Sequence, residues 1–323
     1  MDFHLEFTPK PFSTKIRHSD KLLLAGSCFT EHIGQKLTQH KFSVLENPNG
    51  ILFNPTSICK SINSYIHNKQ YTAADLFHHN DVWGSWEHHT RFSAVDQNES
   101  LRKINESQSA AHQFLKKADW LLLTLGSAFV YELENKQVVA NCHKVPTDKF
   151  NKRMLSTKEV ITELEELLAG LKTFNPGLKI IFTISPVRHL RDGFVENNRS
   201  KAVLINAVHY LTEQSAELFY FPAYELVIDD LRDYRFYAED MVHPNYAATG
   251  YVWDKFVNAC IDEDSQALMK QVNEIRIAFN HKPFNPTSAE HKKFLQNYLA
   301  KTKVLGQKHS YINFEEELNY FAG

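Results

Sequence analysis

A serine and a cysteine stand side by side in Ala25-Gly26-Ser27-Cys28-Phe29, just after the short apolar run Lys21 to Ala25 and just before a stretch of helical character. That placement sets a hydroxyl and a thiol at the first turn of a helix. Unpaired backbone N–H groups and the positive end of the helix dipole lower a thiol's pKa there and can stabilise an oxyanion. The same residues also suit a plainer arrangement: a glycine turn, a serine cap and a small buried cysteine. A second group, Asp240-Met241-Val242-His243-Pro244-Asn245, precedes the last helix of the main alternating pattern. A carboxylate three residues before a histidine can meet its imidazole in a turn, fix the tautomer and stabilise the imidazolium. Pro244 keeps His243 out of helical geometry and therefore on a loop. A third feature is glycine after strand ends, at Gly50 and Gly126, where backbone amides can complete an oxyanion hole, although turns call for glycine in any case.

Other polar residues border these groups. His78, His79, His88 and His89 cluster with Trp83 and Trp86, but no HxH or HxxxH pair with a matched carboxylate makes a metal site there. The segment reads instead as a pocket border that contributes His89 or Arg91. Arg188 and His189 follow Ser185-Pro186 and suit an anionic or sugar substrate, or a simple ion pair. Asn141-Cys142-His143-Lys144 is similarly polar, with His143 a second candidate base. No metal and no organic cofactor is called for.

The elements that must position these residues alternate. Strands are expected at Lys21–Ala25, Phe42–Leu45, Trp120–Leu125, Leu178–Ile184 and Glu217–Phe221. Helices are expected at Glu31–His40, Pro55–His67, Ser156–Thr173, Ser200–Ala216 and Asn245–Cys260, with Ser156 and Glu159 spaced as a capping box. Alternation of this kind implies a mostly parallel sheet with helices on both faces and a site at the carboxyl ends of the strands. Residues 70–97 read as an insertion, and Phe129–Ala140 as a hairpin. Residues 1–262 then form the main domain. Residues 263–323 form a helical extension or cap, with helices at Asp262–Phe279 and Ser288–Lys303.

With 323 residues, 43% hydrophobic and 23% charged, the chain has the balance of a globular protein with a sizeable core. A net charge of −2 gives no electrostatic case for nucleic acid as partner. The four cysteines are scattered, and the N-terminus Met1-Asp2-Phe3-His4 is polar. Together with the lack of a long apolar run, this fits a cytoplasmic protein without a membrane span.

Taken in order, the three features resemble the blocks of the SGNH hydrolase superfamily, and more closely the GSCFA family, a bacterial group with that fold. The resemblance rests on Ala25-Gly26-Ser27-Cys28-Phe29, Asn47-Pro48-Asn49-Gly50-Ile51 with Asn54-Pro55-Thr56, His88-His89 to Phe92-Ser93, and Leu125-Gly126. It extends through Val139 to Lys144, Ser185-Pro186-Val187-Arg188 and Asp240 to Pro244, covering most of residues 20–260. It implies a three-layer α/β/α sandwich with a flavodoxin-like sheet. It also implies an acyl-enzyme route in which His243, oriented by Asp240, deprotonates Ser27 or Cys28. A gapless register sets Cys28 on the superfamily's nucleophile and Ser27 on its structural Asp, whereas ester chemistry favours Ser27. The superfamily's Gly-x-Asn-Asp block reads Gly126-Ser127-Ala128-Phe129 here, so its side-chain donor is missing; Asn49, Asn141 or a nearby histidine would replace it. The implied substrate is an O-acyl ester on a small molecule or glycan. The alternatives are a catalytically weak SGNH-fold binding protein or an O-acyltransferase.

Overall fold

The computed structural model describes residues 4–323; residues 1–3, where part of the polar N-terminus falls, lie outside it. The chain runs β1 (Lys21–Gly26), α1 (Cys28–Gln39), β2 (Ser43–Glu46), α2 (Pro55–Ile66), β3 (Phe77–His79), β4 (Val82–Gly84), α3 (Gln97–Leu115) and β5 (Trp120–Leu125). It continues through β6 (Phe129–Glu132), β7 (Val138–Val139), β8 (Asn151–Met154), α4 (Thr157–Phe174), β9 (Lys179–Ile184), α5 (Gly193–Thr212), β10 (Leu218–Tyr220) and the short α6 (Ala223–Glu225). Four helices close it: α7 (Tyr246–Cys260), α8 (Glu263–Phe279), α9 (Ala289–Lys308) and α10 (Glu315–Ala322).

β1, β5 and β9 are near-continuous apolar runs because both faces of a parallel sheet are covered. The main sheet has the order β10-β9-β5-β1-β2, and every pairing is parallel. Counted among the parallel strands alone, that is the flavodoxin-like order 2-1-3-4-5. Alternate residues divide between two cores. Leu23, Leu121, Leu123, Ile180 and Phe182 pack with α2 to α5. Leu22, Leu24, Trp120, Leu122 and Ile181 pack with α1 and α7. The expected three-layer α/β sandwich is therefore present.

Helix starts follow their local chemistry. Ser156 and Glu159 form the anticipated capping box on α4, and Asn54, Asp96, Asn245, Asp262 and Ser288 cap α2, α3, α7, α8 and α9. α3 was not expected from the sequence. It is largely polar, and its buried apolar stripe is only Ile104, Ala111 and Leu115. α5 begins at Gly193 rather than Ser200, and the polar strand β8 joins the β6–β7 hairpin as a third strand.

α8 to α10 build their own apolar cluster, including Leu268, Val272, Ile275, Leu305 and Phe321. They attach through His18 N–H to Ser265 Oγ (2.7 Å), His40 Nδ1 to Met269 O (3.3 Å), and Lys41 Nζ to Asn313 O (3.0 Å) and Glu317. His40 and Lys41 lie between α1 and β2, where the strands begin. These helices thus brace the amino ends of the strands and do not cap the carboxyl ends. Among the described residues, no helix is long and apolar enough to cross a membrane.

Candidate active site

β1 stops at Gly26 for a steric reason. Its φ is +146°, and a Cβ there would stand 2.2 Å from Thr124 O. Gly26 N–H donates to Asn47 Oδ1 (2.9 Å), its carbonyl accepts from Leu52 N–H (2.9 Å), and Ser27 N–H donates to Thr124 O (3.2 Å). The turn is thereby laced to the ends of β2 and β5. It sits between β1 and β5, the switch point of this strand order.

Ser27 occupies the N-cap position of α1 with extended backbone, but its side chain makes no capping bond. Its Oγ is buried and has no hydrogen-bond partner among the described residues. The cap expected of Ser27 is therefore absent. Cys28 is the first helical residue and is partly open. Burial pushes its thiol pKa up. The N–H groups of Phe29 and Cys28 pull it down, Glu31 raises it, and Lys201 lowers it. Desolvation outweighs the helix N-terminus, so Cys28 is a thiol that needs a base, not a preformed thiolate.

The loop before α7 folds around Asp240, with Met241 at φ +59°. Asp240 Oδ1 accepts from Val242 N–H (2.9 Å) and His243 N–H (3.0 Å), while Oδ2 lies 2.6 Å from His243 Nδ1. The His243 N–H first, then its imidazole, then the Val242 N–H, hold the Asp240 carboxyl down at about 2. Arg188 pins the same loop, its N–H to Val242 O (3.3 Å) and Nη1 to Met241 O (3.4 Å). Among the described residues, His243 makes no side-chain hydrogen bond other than that to Asp240, and none joins it to Ser27 or Cys28. Its imidazole is within electrostatic reach of His32 on α1 and of His189, both of whose pKa values it helps lower.

His189 follows β9. Burial, then Lys201, then His243 hold its imidazole down at about 3, so it is neutral. Asn197 Oδ1 fixes its N–H (2.9 Å). Its Nε2 is buried without a partner, 3.3 Å from where a Cβ on Gly126 would stand.

Several expected roles do not survive the geometry. Gly126 N–H donates to Phe53 O (2.8 Å) and Gly50 N–H to Asn47 O (2.7 Å), so neither amide is a free oxyanion donor. Both glycines serve close packing instead: a Cβ on Gly50 would meet His89 Cβ at 2.2 Å, and one on Gly126 would meet Phe53 O at 3.2 Å. Asn49 is a buried brace, its Nδ2 donating to Glu87 O (3.1 Å) and its Oδ1 accepting from Tyr65 O–H (2.8 Å). His143 Nε2 is held by Ser85 O (2.9 Å) and His88 O (3.1 Å), which ties its ring to the insertion. His89 packs on Gly50 and caps a short turn by accepting from Arg91 N–H. Arg91 ties the insertion to Asn47 O and to Glu31 on α1 (3.3 Å). Asn141 Oδ1 accepts from His143 N–H (2.8 Å) and the residue lines a cavity.

Two residues were missed. Asn47 uses Oδ1 on the Gly26 N–H, leaving a buried, unpartnered Nδ2 beside the turn. Lys201 is fully buried on α5, where its Nζ donates to Gly126 O and Ser185 O, both at 2.6 Å. Burial lowers its pKa to about 7. Its neighbours on the same face, Asn197 and Ser200, hold His189 N–H and Ala128 N–H. The signal was a lysine on the buried stripe Leu204, Val208 and Leu211.

A cavity of about 780 Å³ opens beside this centre, between the β6–β8 sheet and the loop 188–192. Ser27, Cys28 and His243 do not line it; Arg188 and His189 do, and Arg188 bonds the loop that carries His243.

An all-parallel five-stranded sheet in this order, with a Ser-Cys turn at its switch point and an Asp–His pair on the last loop, defines a three-layer α/β protein with its candidate site at the carboxyl ends of the strands. The sequence matches the GSCFA family over residues 21–256, and the GSCFA domain protein, C-terminal domain, over residues 272–322. The chain belongs to the GSCFA family. No curated protein matches it. Among solved structures it is similar to a carbohydrate esterase family 3 from Talaromyces cellulolyticus, at 11% identity and a TM-score of 0.36, covering 79% of this chain and 99% of that one. It is also similar to an acetyl xylan esterase from the rumen bacterium Butyrivibrio proteoclasticus, at 11% identity and a TM-score of 0.35, covering 75% of this chain and 64% of that one. Likeness at this level carries no functional weight.

Proposed function

We propose that the protein is an ester hydrolase of the SGNH kind, working through an acyl-enzyme on Cys28. The observation that carries this reading is the Asp240–His243 pair, 2.6 Å apart with Nε2 unengaged among the described residues, on a loop at the same end of the sheet as the Cys28 turn. His243 Nε2 takes the Cys28 proton as Sγ adds to the ester carbonyl, and Asp240 stabilises the imidazolium. The Cys28 and Phe29 N–H groups and the unpartnered Asn47 Nδ2 receive the oxyanion, taking the part once assigned to Gly50 and Gly126. The imidazolium then protonates the departing alcohol. Water, losing its proton to His243, cleaves the thioester and restores the thiol.

Cys28 is favoured over Ser27 because its side chain is partly open while Ser27 is 1% exposed. One observation supports the other choice: the Ser27 hydroxyl has no hydrogen-bond partner among the described residues. Hydrolysis of p-nitrophenyl acetate by wild type, His243→Ala, Cys28→Ala and Ser27→Ala separates them. Loss of about 10²-fold or more is expected in His243→Ala and Cys28→Ala, with Ser27→Ala near wild type. A loss in Ser27→Ala alone moves the nucleophile, and a rate equal to background in all four proteins sinks the esterase reading.

A further inference from the structure

The cavity beside the site is lined by Lys144, Lys152, Arg188 and Arg191 but by one acidic residue, Asp192. The chain as a whole carries a net charge of −2, so this is a local concentration of positive charge. Asp192 is already paired with Lys152. Among the described residues, Lys144, Arg188 and Arg191 have no carboxylate within ion-pair distance. Arg191 reaches only Tyr131 Oη (3.5 Å), and Arg188 lies over the Tyr237 ring at 4.1 Å. A walled cavity lined by one sign of charge focuses the field of that charge, and guanidinium groups match carboxylate and phosphate oxygens in a forked geometry.

We propose that this cavity receives an anionic group, carboxylate or phosphate, carried by the substrate of the adjacent site. Arg188 makes the connection. Arg188 lines the cavity, while its backbone N–H and Nη1 hold the carbonyls of Val242 and Met241 in the loop that carries His243. His189 forms the wall between cavity and Gly126. An ester anchored by its anion at Lys144 and Arg191 would therefore extend past Arg188 toward His243. Phe129 and Tyr131 also line the cavity, with Lys152 over their rings at 4.7 and 5.2 Å. The inference rests on the ester-hydrolase reading only for which end of the substrate enters; anion binding itself does not depend on it.

The test is a binding measurement, independent of catalysis. Titration calorimetry of the whole protein with glucuronate, glucose 6-phosphate and glucose separates carboxylate, phosphate and neutral sugar. At least one anionic sugar is expected to bind about tenfold or more tightly than glucose, with binding weakened by salt. The double variant Lys144→Ala/Arg191→Ala, checked for folding by circular dichroism, should lose about tenfold or more in that affinity, since it removes two of the four cations that line the cavity. Equal binding of glucose, no saturable binding of either anion at millimolar concentration, or unchanged affinity in the folded variant overturns the proposal. Anion binding by a protein that fails to hydrolyse p-nitrophenyl acetate would remove the esterase reading and leave this one standing.

Discussion

Raising the pH should stabilise the wild-type protein relative to a Lys201→Met variant. Burial moves the Lys201 pKa from 10.5 in the open chain to about 7 in the fold. Between those values the unfolded chain keeps its proton and the folded chain has released it. Stability therefore rises with pH across that window, with a slope of up to about 1.4 kcal/mol per unit. Partial protonation at both ends trims the gain between about pH 7.5 and about pH 9.5 to roughly 2.5 kcal/mol. Methionine removes the titration while keeping most of the volume. It also leaves Gly126 O and Ser185 O without the donor that holds them at 2.6 Å, a loss of about 1–3 kcal/mol each, set against the cost of burying the amine. The absolute change at one pH is thus a difference of opposing terms, and its pH dependence is the diagnostic quantity. Urea unfolding of both proteins at the two pH values measures it. Thiols and tyrosines other than Cys28, which Lys201 influences, titrate alike in both and cancel. A wild-type minus variant difference that stays constant with pH would refute the idea that burial beneath the site lowers the pKa of this amine.

Gly26→Ala should destabilise the fold by about 2 kcal/mol or more and abolish esterase activity, because the new Cβ meets Thr124 O at 2.2 Å on a backbone of φ +146°. Gly250→Ala, within α7 and with nothing within 4 Å, should raise stability by about 0.5–1 kcal/mol in the same urea unfolding. Asp240→Asn should lower kcat for p-nitrophenyl acetate by up to about 10⁴ with little change in KM, since it spoils the acceptor 2.6 Å from Nδ1; an unchanged kcat removes Asp240 from the mechanism. Asn47→Ala should cost about 10²–10³ in kcat if its free Nδ2 meets the oxyanion.

The strands were legible because runs such as Trp120 to Leu125 and Lys179 to Ile184 are apolar on both faces, and the Asp240–His243 contact because three residues suffice to form its turn. α3 was not, because a helix whose buried face includes Ser100 and Gln108 has too thin an apolar stripe to stand out. The misreading of Gly50 and Gly126 has a different cause. Whether a backbone amide is free depends on its acceptor, and the acceptor of Gly126 is Phe53, far away in the chain. Ser27 looked like a cap because serine at a helix start commonly is one, yet its hydroxyl is turned away from that role. Lys201 was overlooked because a lysine on an apolar stripe is ordinarily read as a surface residue; only the two carbonyls converging on it make its burial tolerable.

The most direct test of the central claim is to trap the acyl-enzyme. Wild-type protein mixed with p-nitrophenyl acetate, quenched in acid and digested, should carry an acetyl group on Cys28 in the peptide spanning the Gly26-Ser27-Cys28 turn, formed much faster than on Cys142, which is also partly open. The His243→Ala protein should show it only at the rate of Cys142. Acetylation of Cys28 and Cys142 at equal rates, or a Cys28 adduct that forms as fast without His243, would contradict the account.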